Sequence, residues 1–395
     1  MKTIAIVVSE MDTGGVSEAL IEMLRHFDYS RYRVTVWVAL GKGAEHGRLD
    51  SRVQVRYWGE EDPAKALIGQ LKSGHLIQFC RSVFFRLLGR LYINTNDKHA
   101  YYCVRSLPNI DAEVYDYVIC YQGVSPLVIP NALHRIRGKE KILWIHGDLG
   151  REDRLMPFCR KHYHRFVRAI AVSAAARDLF VQQYNYPAER TAVFHNLVDR
   201  QQILQQARQP LGHPMDHPAI VTVGRLSPEK GQIMIPAAMK LLLDAGCDAR
   251  WYLIGDGATK TQLQAEISRL ELEDRVVLLG RQENPFPYMM AADVYVQTSF
   301  SEGWCLTVQE ARILGKPVIS TPLPAVMEQI SSGENGLICR DMSSEALSEA
   351  IALLLKDAAL RQRLADSPGG ASSDPAAEME RLYHILENQN GEALL

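Results

Sequence analysis

Short apolar runs rich in valine and isoleucine recur along the chain, separated by longer stretches with helical periodicity. Such runs are typical of strands buried on both faces, as in parallel sheets covered by helices. Their alternation with helices predicts an α/β fold. The strand candidates are 4–8, 34–39, 117–120, 142–146 and 169–172 in the N-terminal half, and 220–223, 251–254, 276–279, 294–297 and 318–320 in the C-terminal half.

The two sets of strands predict two domains, which a chain of 395 residues can accommodate. Residues 201–218 hold three prolines among glutamines and histidines, which indicates a linker region with one short helix. We therefore predict Rossmann-like domains over 1–199 and 200–370. A glycine- and serine-rich stretch then leads into a final segment, 371–395, that contains an amphipathic helix.

Composition excludes several classes of protein. Hydrophobic residues make up 47% and charged residues 23%, and the net charge of −2 argues against a general nucleic-acid binder. The seven cysteines form no Cys-x-x-Cys pair, which favours reduced thiols in the cytoplasm. No apolar run approaches the ~18–20 residues of a transmembrane helix. Glu10 and Asp12 interrupt the apolar start, so a first strand is favoured over a signal region.

Two carboxylates, Glu302 and Glu310, stand eight positions apart after the strand candidate at 294–297. Glu302 falls in the loop at the carboxyl end of that strand, where open α/β sheets bind ligands. Glu310 falls on the helix predicted over 306–314. At ~1.5 Å rise per residue, the pair spans roughly 10–12 Å, about the reach from a sugar ring across a diphosphate to a ribose. The pair fits a nucleotide sugar; a turn residue and a solvated helix residue are the simpler alternative.

A second strand candidate runs into Gly224-Arg225 and then into Ser227-Pro228-Glu229-Lys230. Ser227 and Pro228 are typical of an N-cap and a first helical position. An arginine guanidinium can donate two parallel hydrogen bonds to phosphate oxygens, and a lysine ammonium adds a positive charge on a flexible side chain. Because a helix start already carries positive partial charge, two cations there indicate that an anion is bound. Such charges would stabilise a departing diphosphate, usually the largest catalytic effect.

These two motifs resemble the signature pair of retaining glycosyltransferases of family four, which have the GT-B fold. The resemblance extends over nearly the whole chain and is strongest from about 190 to 336. Further landmarks are 13–16, 144–147, 171–173, 196–199 and 328–337. Trp304-Cys305 departs from the more usual Phe-Gly or Phe-Pro, and Leu197 replaces a commoner Pro or Gly. These departures bear on the choice of donor sugar rather than on the reaction class.

The resemblance implies an α/β GT-B fold, with two Rossmann-like domains facing across a cleft and the last helix crossing back onto the N-terminal domain. It implies transfer from a nucleoside-diphosphate sugar with retention, by front-face attack. A UDP-hexose or UDP-N-acetylhexosamine is the donor expected from family frequency. The implied catalytic residues are Arg225, Lys230, Glu302 and His146, and the donor-binding residues are Gly15, Gly224, Gly280, Arg281, Gly303, Trp304, Cys305, Leu306 and Glu310.

Several further residues are candidates for the site, although some have plainer structural roles. The pair Gly14-Gly15 follows a strand and opens a helix, which suits close approach of an anion, although a tight turn is the plainer reading. His146 ends a strand, and in relatives this histidine approaches the reacting carbon of the sugar. Asp148 and Arg151 are candidates to face the acceptor.

No cofactor is predicted. Gly255-Asp256-Gly257 invites a dinucleotide reading, but Lys260 stands where the fingerprint needs glycine or alanine. The chain has no Asp-x-Asp pair and no His/Cys cluster with metal-ligand spacing. With Arg225 and Lys230 available for the diphosphate, we predict metal-independent transfer.

The segment 63–110 carries seven Lys or Arg residues against one acid, Asp97. One predicted helical face is apolar, and Phe79 and Phe85 are expected to add exposed aromatic surface. Such a basic amphipathic helix fits an anionic membrane, and a helix packed on the sheet with a solvated basic face is equally consistent. The membrane interpretation makes a glycan or polyprenyl-linked acceptor of bacterial surface polysaccharide synthesis the first candidate, at the inner face of the membrane.

Two other functions stay open from the sequence. A nucleotide-sugar epimerase shares the architecture but would act without an acceptor. A non-catalytic partner subunit of a glycosyltransferase complex would bind without turnover. An NAD-dependent oxidoreductase is disfavoured because the glycine fingerprint is broken.

Overall fold

The computed structural model describes residues 1–11, 14–39, 43, 45–57, 76–91, 96–107, 110, 112–123, 125, 127–147, 158–367 and 374–387. They form two compact units, Met1–Asn196 with the last helix, and Leu197–Pro375. Each unit contains a parallel sheet with helices, which confirms the predicted α/β class with two Rossmann-like halves. Among the described helices, none has the length and apolar character needed to cross a bilayer.

The N-terminal unit is built on one parallel sheet. Its strands are β1 (Lys2–Val8), β2 (Tyr32–Val38), β3 (Gln54–Tyr57), β4 (Val114–Cys120), β5 (Arg137–Ile145), β6 (Arg168–Ala171) and β7 (Thr191–Val193). They lie in the order β3-β2-β1-β4-β5-β6-β7. The helices along this part of the chain are α1 (Gly15–Arg25), α2 (Leu76–Leu91), α3 (Asn96–Arg105), α4 (Val128–His134) and α5 (Ala174–Tyr184).

The C-terminal unit repeats this plan. Its strands are β8 (Ala219–Val223), β9 (Arg250–Ile254), β10 (Val276–Gly280), β11 (Val294–Gln297), β12 (Val318–Ser320) and β13 (Leu337–Ile338). They lie in the order β10-β9-β8-β11-β12-β13. Its helices are α6 (Arg200–Gln206), α7 (Ile235–Asp244), α8 (Lys260–Arg269), α9 (Phe286–Ala291), α10 (Leu306–Ile313), α11 (Pro324–Met327), α12 (Ser344–Lys356) and α13 (Ala358–Asp366). The last described helix, α14 (Pro375–Glu387), belongs to the N-terminal unit.

Each sheet contains a point where the strand order reverses. In the N-terminal unit β1 pairs with both β2 and β4, and in the C-terminal unit β8 pairs with both β9 and β11. Loops that leave neighbouring strands at such a point turn to opposite sides of the sheet and leave a crevice at the carboxyl ends. The candidate motifs after β8 and β11 therefore meet at one reversal point.

All ten strands predicted from apolar runs are present, with ends shifted by a few residues. The sequence analysis missed β3, β7 and β13, which have only two to four residues each. Two of the three, β3 and β13, are also only partly buried, and all three lie at or beside a sheet edge. A strand buried on one side, or only three residues long, lacks the continuous apolar run on which the prediction depends.

The last helix packs on the N-terminal unit through aromatic contacts. The ring of Tyr383 stacks on that of Tyr32 with centroids 4.9 Å apart and meets Phe27 edge-on at 5.6 Å. The Arg31 guanidinium lies 4.6 Å from the centroid of the Tyr383 ring. The Tyr383 hydroxyl accepts a hydrogen bond from the backbone N–H of Asp28 at 2.6 Å. These contacts fix α14 to the α1–β2 corner of the sheet.

Candidate functional site

The loop after β8 is shaped by two short 3₁₀ turns rather than by a helix. The first turn covers Pro228–Lys230 and ends at Gly231, whose φ of 65° breaks the turn before the second begins. Ser227 does not cap it, since its hydroxyl donates to the Glu229 carboxylate instead. Pro228 does open a short turn directly after Ser227, as predicted, but the predicted capping by the Ser227 side chain is wrong. A turn of three residues also lacks the summed dipole of a long helix, so the cations must be explained by their side-chain partners.

This loop is hydrogen-bonded to the loop after β11. The Thr298 hydroxyl donates to the backbone oxygen of Lys230 at 2.7 Å, and the Phe300 N–H donates to that of Glu229 at 2.8 Å. A Cβ at Gly231 would lie 2.1 Å from the backbone oxygen of Thr298, so only glycine allows this approach. The two loops that carry the predicted charged residues thus form one rigid pair.

Lys230 and Glu302 form an ion pair at this junction. Lys230 Nζ lies 2.6 Å from Glu302 Oε1, with 27% of the lysine and 10% of the glutamate side chain exposed. The same oxygen accepts hydrogen bonds from Ser299 Oγ at 2.7 Å and from Gln297 Nε2 at 3.1 Å. Among the described residues, all three donors converge on Oε1, which leaves Oε2 available for a ligand hydroxyl.

The Lys230 ammonium is charged at neutral pH. Burial is the largest single effect and lowers its pKa, but Glu302, Cys305 and Glu229 together raise it more, so the net pKa lies above the usual lysine value. Glu229 lies beside the cations. Although burial raises the pKa of its carboxyl, a hydrogen bond from Ser227 and the charges of Lys230 and Arg225 hold that pKa below its usual range. Among the described residues, Lys230 uses one of its three N–H donors for Glu302, which leaves two for an anion.

Arg225 differs from Lys230 in its exposure. Its side chain is exposed, while its backbone oxygen accepts a hydrogen bond from Gln232 Nε2 at 2.8 Å. Gln232 is buried, and within the described part of the chain its Oε1 has no hydrogen-bond partner. The backbone that carries Arg225 is therefore fixed, whereas the guanidinium reaches into solvent from the end of β8, next to Gly224.

The start of α10 is held by buried side chains. Trp304 Nε1 donates to Gln309 Oε1 at 3.0 Å, and the Trp304 backbone oxygen accepts from Gln329. Cys305 precedes the helix with a φ of 68°, in the left-handed region that favours glycine. The unusual cysteine therefore occupies a position whose backbone suits the more common glycine. Burial raises the pKa of its thiol, which stays protonated at neutral pH.

Glu310 lies on α10, half-buried, about one turn beyond the first helical residue, Leu306. Gly303 and Leu306 complete the turn between Glu302 and the helix. The predicted helix end is confirmed, because Gly315 has a φ of 67° and Lys316 N–H donates back to the oxygen of Ala311.

The loops after β9 and β10 flank the same reversal point. A Cβ at Gly255 would lie 1.9 Å from the backbone oxygen of Gly224, so this glycine lets the β8 and β9 loops pack together. That packing accounts for Gly255 without a dinucleotide. Gly280 ends β10 and accepts a hydrogen bond from the Gly255 N–H at 2.9 Å, with Arg281 exposed beyond it.

The N-terminal unit has polar residues at its own reversal point. The Gln122 side-chain oxygen after β4 accepts a hydrogen bond from the Ser9 N–H after β1 at 2.6 Å. Gly14 precedes α1, which begins at Gly15. Thr13, Asp148, Arg151 and 63–75, 92–95 and 108–109 of the basic segment lie outside the described residues.

His146 follows β5, with its ring 4.5 Å from that of Tyr121. Burial lowers the pKa of His146 to about 3, and a hydrogen bond with the Tyr121 backbone offsets this only in part. Its Nε2 is buried with no hydrogen-bond partner among the described residues. The side chain is therefore a neutral imidazole at physiological pH.

Folding stability is expected to fall as the pH drops from about 7.5 to about 5.5. Burial is the main reason that His134 and His146 have a pKa of about 3 in the folded chain. In the unfolded chain both titrate near ~6.5, so below that pH only the unfolded state takes up protons. Stability that is present above pH ~6.5 is lost toward pH 3, by at most about 1.4 kcal/mol per pH unit for each histidine.

Urea unfolding at the two pH values measures this loss. His146→Asn removes one of the histidines whose pKa is lowered by burial and should reduce the difference. Equal free energies of unfolding at both pH values in the unmodified chain would contradict the prediction.

The structure therefore brings together part of the predicted site. Lys230 and Glu302 are in contact, Arg225 and Gly224 lie on the same loop as Lys230, and the residues 303–306 follow Glu302. Gly15 and His146 belong to the other unit.

Sequence reasoning missed Gln297, Ser299 and Gln232. A polar residue that ends an otherwise apolar strand was the available signal for Gln297. Among the described residues, no three His, Cys, Asp or Glu side chains group as a metal ion would require.

Comparison with known proteins confirms the resemblance to glycosyltransferases of group 1. Residues 205–367 match the model of the family glycosyl transferases group 1. An uncharacterized glycosyltransferase of Methanocaldococcus jannaschii is 25% identical over 234 residues, which are 56% of each chain. The alpha-D-kanosaminyltransferase of Streptomyces kanamyceticus is 26% identical over 57% of this chain and 60% of that protein. The chain spans about half the length of the curated relatives it matches.

Solved structures match over almost the entire chain. HepE of Anabaena, in complex with UDP and glucose, superposes with a TM-score of 0.71 at 21% identity, covering 98% of this chain and 99% of that one. The sucrose-phosphate synthase of Thermosynechococcus elongatus gives a TM-score of 0.70 at 17% identity, with the same coverage. At these identities the likeness establishes the fold, which is that of GT-B glycosyltransferases.

Proposed function

With residues 205–367 matching glycosyl transferases group 1, we propose that this chain transfers a sugar from a nucleoside-diphosphate donor to a glycan or lipid-linked glycan. The observation that carries the proposal is the Lys230–Glu302 pair, held at 2.6 Å where the strand order reverses. The pair places a cation that can bind phosphate next to a carboxylate that can accept hydrogen bonds from hydroxyl groups. A sugar diphosphate carries phosphate oxygens and sugar hydroxyls close together.

Each donor group has a matching residue. Lys230 and Arg225 hold the diphosphate. The lysine uses its two remaining N–H donors, and the arginine uses its exposed guanidinium, which can bind two phosphate oxygens. Glu302 Oε2 accepts from sugar hydroxyls, since Oε1 is already saturated by Lys230, Gln297 and Ser299. Glu310 accepts from the ribose. The backbone of 303–306 lines the space between the two carboxylates. The bound UDP and glucose named for the Anabaena structure support a UDP-linked hexose as donor, and a UDP-linked N-acetylhexosamine is the second candidate.

The reaction follows from where negative charge develops. As the glycosidic bond breaks, the bonding electrons go to the diphosphate oxygen, and the two cations stabilise them. The acceptor hydroxyl attacks from the face that the diphosphate leaves, and the leaving oxygen takes the hydroxyl proton. The configuration at the sugar carbon is thereby retained. The positive charge comes from Lys230 and Arg225, so the proposed reaction uses no metal. The donor contacts predicted for Gly15 and His146 stay predictions.

The proposed acceptor belongs to bacterial surface polysaccharide synthesis, on the cytoplasmic side of the membrane and peripheral to it. One relative, 29% identical over 175 residues, is a lipopolysaccharide core biosynthesis glycosyltransferase of Rhizobium meliloti. Another, 26% identical over 183 residues, is a Campylobacter jejuni N-acetylgalactosaminyltransferase whose name includes a diphospho-undecaprenol. These names support a lipid-linked glycan as the first acceptor to test.

A panel of nucleotide sugars scored by thermal unfolding tests the donor. A ligand present at 100 times its dissociation constant stabilises the folded chain by about 2.7 kcal/mol. We expect the largest shift from a UDP-sugar and a smaller one from UDP alone. No shift from any nucleotide sugar would overturn the proposal.

A transfer assay with the best binder then separates the functions. Transfer or slow hydrolysis of the sugar supports the transferase. An isomerised nucleotide sugar formed without acceptor would establish an epimerase, which the transferase names of the relatives disfavour. Binding with neither product, across a panel of glycan and polyprenyl-linked acceptors, would indicate a non-catalytic subunit.

A further inference from the structure

Helix α2 presents an apolar stripe to solvent. Leu76, Cys80, Phe84, Leu87 and Leu91 recur at spacings of three or four residues, which places them on one face. Leu76 is 62% exposed, Phe84 56%, Leu87 55% and Leu91 76%, and Cys80 is also exposed. We call these five residues the exposed stripe. Other exposed large apolar side chains in the described part of the chain are scattered over separate elements, so this is a patch rather than the normal background.

The opposite face of α2 is the one that packs on the protein. Phe85 is 8% exposed and stacks with Tyr102 of α3 at a centroid distance of 6.2 Å. The Arg105 guanidinium, also from α3, lies 4.3 Å from the centroid of the Phe85 ring. Ser82 on the same face is 1% exposed. The expectation that Phe85 adds exposed aromatic surface is therefore wrong, because its ring anchors the helix and Phe84 is the exposed aromatic.

The charges around the exposed stripe have one sign. Exposed Arg81 and Arg90 flank it on its two sides, at about 100° of rotation per residue. Helix α2 contains no Asp or Glu, and the acid of α3, Asp97, is 1% exposed. An apolar stripe between arginines matches the layered chemistry of an anionic bilayer surface, where acyl chains lie below phosphate groups.

We propose that the exposed stripe of α2 docks this chain on the surface of an anionic lipid membrane, with Phe84 and Leu87 at the acyl boundary and Arg81 and Arg90 at the lipid phosphates. A second copy of the chain fits less well, because pairing two such helices would place arginines against arginines without acids to balance them. The inference stands on α2 and α3 alone and does not depend on the transferase reaction.

Sedimentation with vesicles tests the docking surface without donor or acceptor. The full chain should sediment with phosphatidylcholine vesicles that contain phosphatidylglycerol and stay in solution with phosphatidylcholine alone. Added salt should weaken the binding, since the Debye length is ~10 Å at 0.1 M. The double variant Phe84→Ser/Leu87→Ser should bind anionic vesicles about tenfold more weakly or worse, because its apolar contact with the acyl boundary is lost.

Matched controls keep the test specific. Leu353→Ser removes an apolar side chain that is 49% exposed on α12 of the other unit and should bind as the unmodified chain does. Lys230→Ala should also bind vesicles, which separates docking from catalysis. Both stripe residues are exposed, so the double variant should keep its melting temperature. Failure of the unmodified chain to bind anionic vesicles, full binding by the double variant, or a stripe-dependent dimer with no vesicle binding would each overturn the proposal.

Discussion

Replacing Lys230 with alanine is expected to lower kcat by roughly 10²–10³-fold, the cost of removing one preorganised group that stabilises developing charge. The structure adds a second expected effect. Lys230 donates to a Glu302 carboxylate whose side chain is 10% exposed, so the substitution leaves that anion without its cation. The free energy of unfolding should fall by roughly 1.5–3 kcal/mol, the value of a hydrogen bond to a charged group. Steady-state kinetics and urea unfolding measure the two effects.

A double variant separates activity from stability. Lys230→Ala with Glu302→Gln removes both charges, so no unpaired anion remains in the half-buried pocket. Its stability should recover much of the loss, because Ser299 can still donate to the glutamine oxygen. Its activity should stay low, since neither the phosphate cation nor the sugar carboxylate is restored. A near-normal kcat for Lys230→Ala would refute the assigned role, whatever the stability of the variant.

The fold and the charged core of the site could be read from sequence for the same physical reason. Central parallel strands are buried on both faces, so their apolar runs are continuous, and residues that follow them meet at one edge of the sheet. The spacing of Lys230 and Glu302 relative to β8 and β11 was therefore sufficient to predict that they lie near each other. The direct ion pair was not predictable, because it depends on how the two loops are fastened at Gly231 and Thr298.

The supporting residues could not be predicted from local pattern. Gln297 and Ser299 donate hydrogen bonds to Glu302, and Gln232 donates one to the backbone oxygen of Arg225. Tertiary packing sets these contacts. The failed N-cap has a related cause. Ser227 and Pro228 favour a helix start. The turn nevertheless ends after three residues, because Gly231 adopts a positive φ where its backbone packs against the backbone oxygen of Thr298.

Helix α2 illustrates a different limit. Periodicity identifies an apolar face, but α2 has apolar residues on both faces, and pattern alone cannot decide which one packs. The structure buries the face of Phe85 because α3 supplies Tyr102 and Arg105 as partners for its ring. The longer apolar stripe is the one left at the surface.

Replacing Arg225 with alanine is expected to lower kcat by roughly 10²–10³-fold without a measurable loss of stability. The guanidinium is exposed, and surface substitutions of this kind change the free energy of unfolding by less than about 0.5 kcal/mol. Arg225 is thus the cleaner test of diphosphate binding, because in the described part of the chain no buried carboxylate pairs with it as Glu302 pairs with Lys230. Arg225→Lys should recover part of the rate. The lysine ammonium restores the positive charge, but unlike the planar guanidinium it cannot donate two parallel hydrogen bonds to phosphate oxygens.

The matched control for Arg225 is Lys240→Ala, which removes one exposed cation from α7 of the same unit. Lys240 pairs with Asp244 one helical turn away, outside the loops of the candidate site. If net charge alone attracted the donor, both variants would lose activity equally. If Arg225 contacts the leaving diphosphate, only its replacement should lower kcat, and the loss should persist at saturating donor. An effect of Arg225→Ala on KM alone would restrict this residue to donor capture and leave Lys230 as the cation that assists departure.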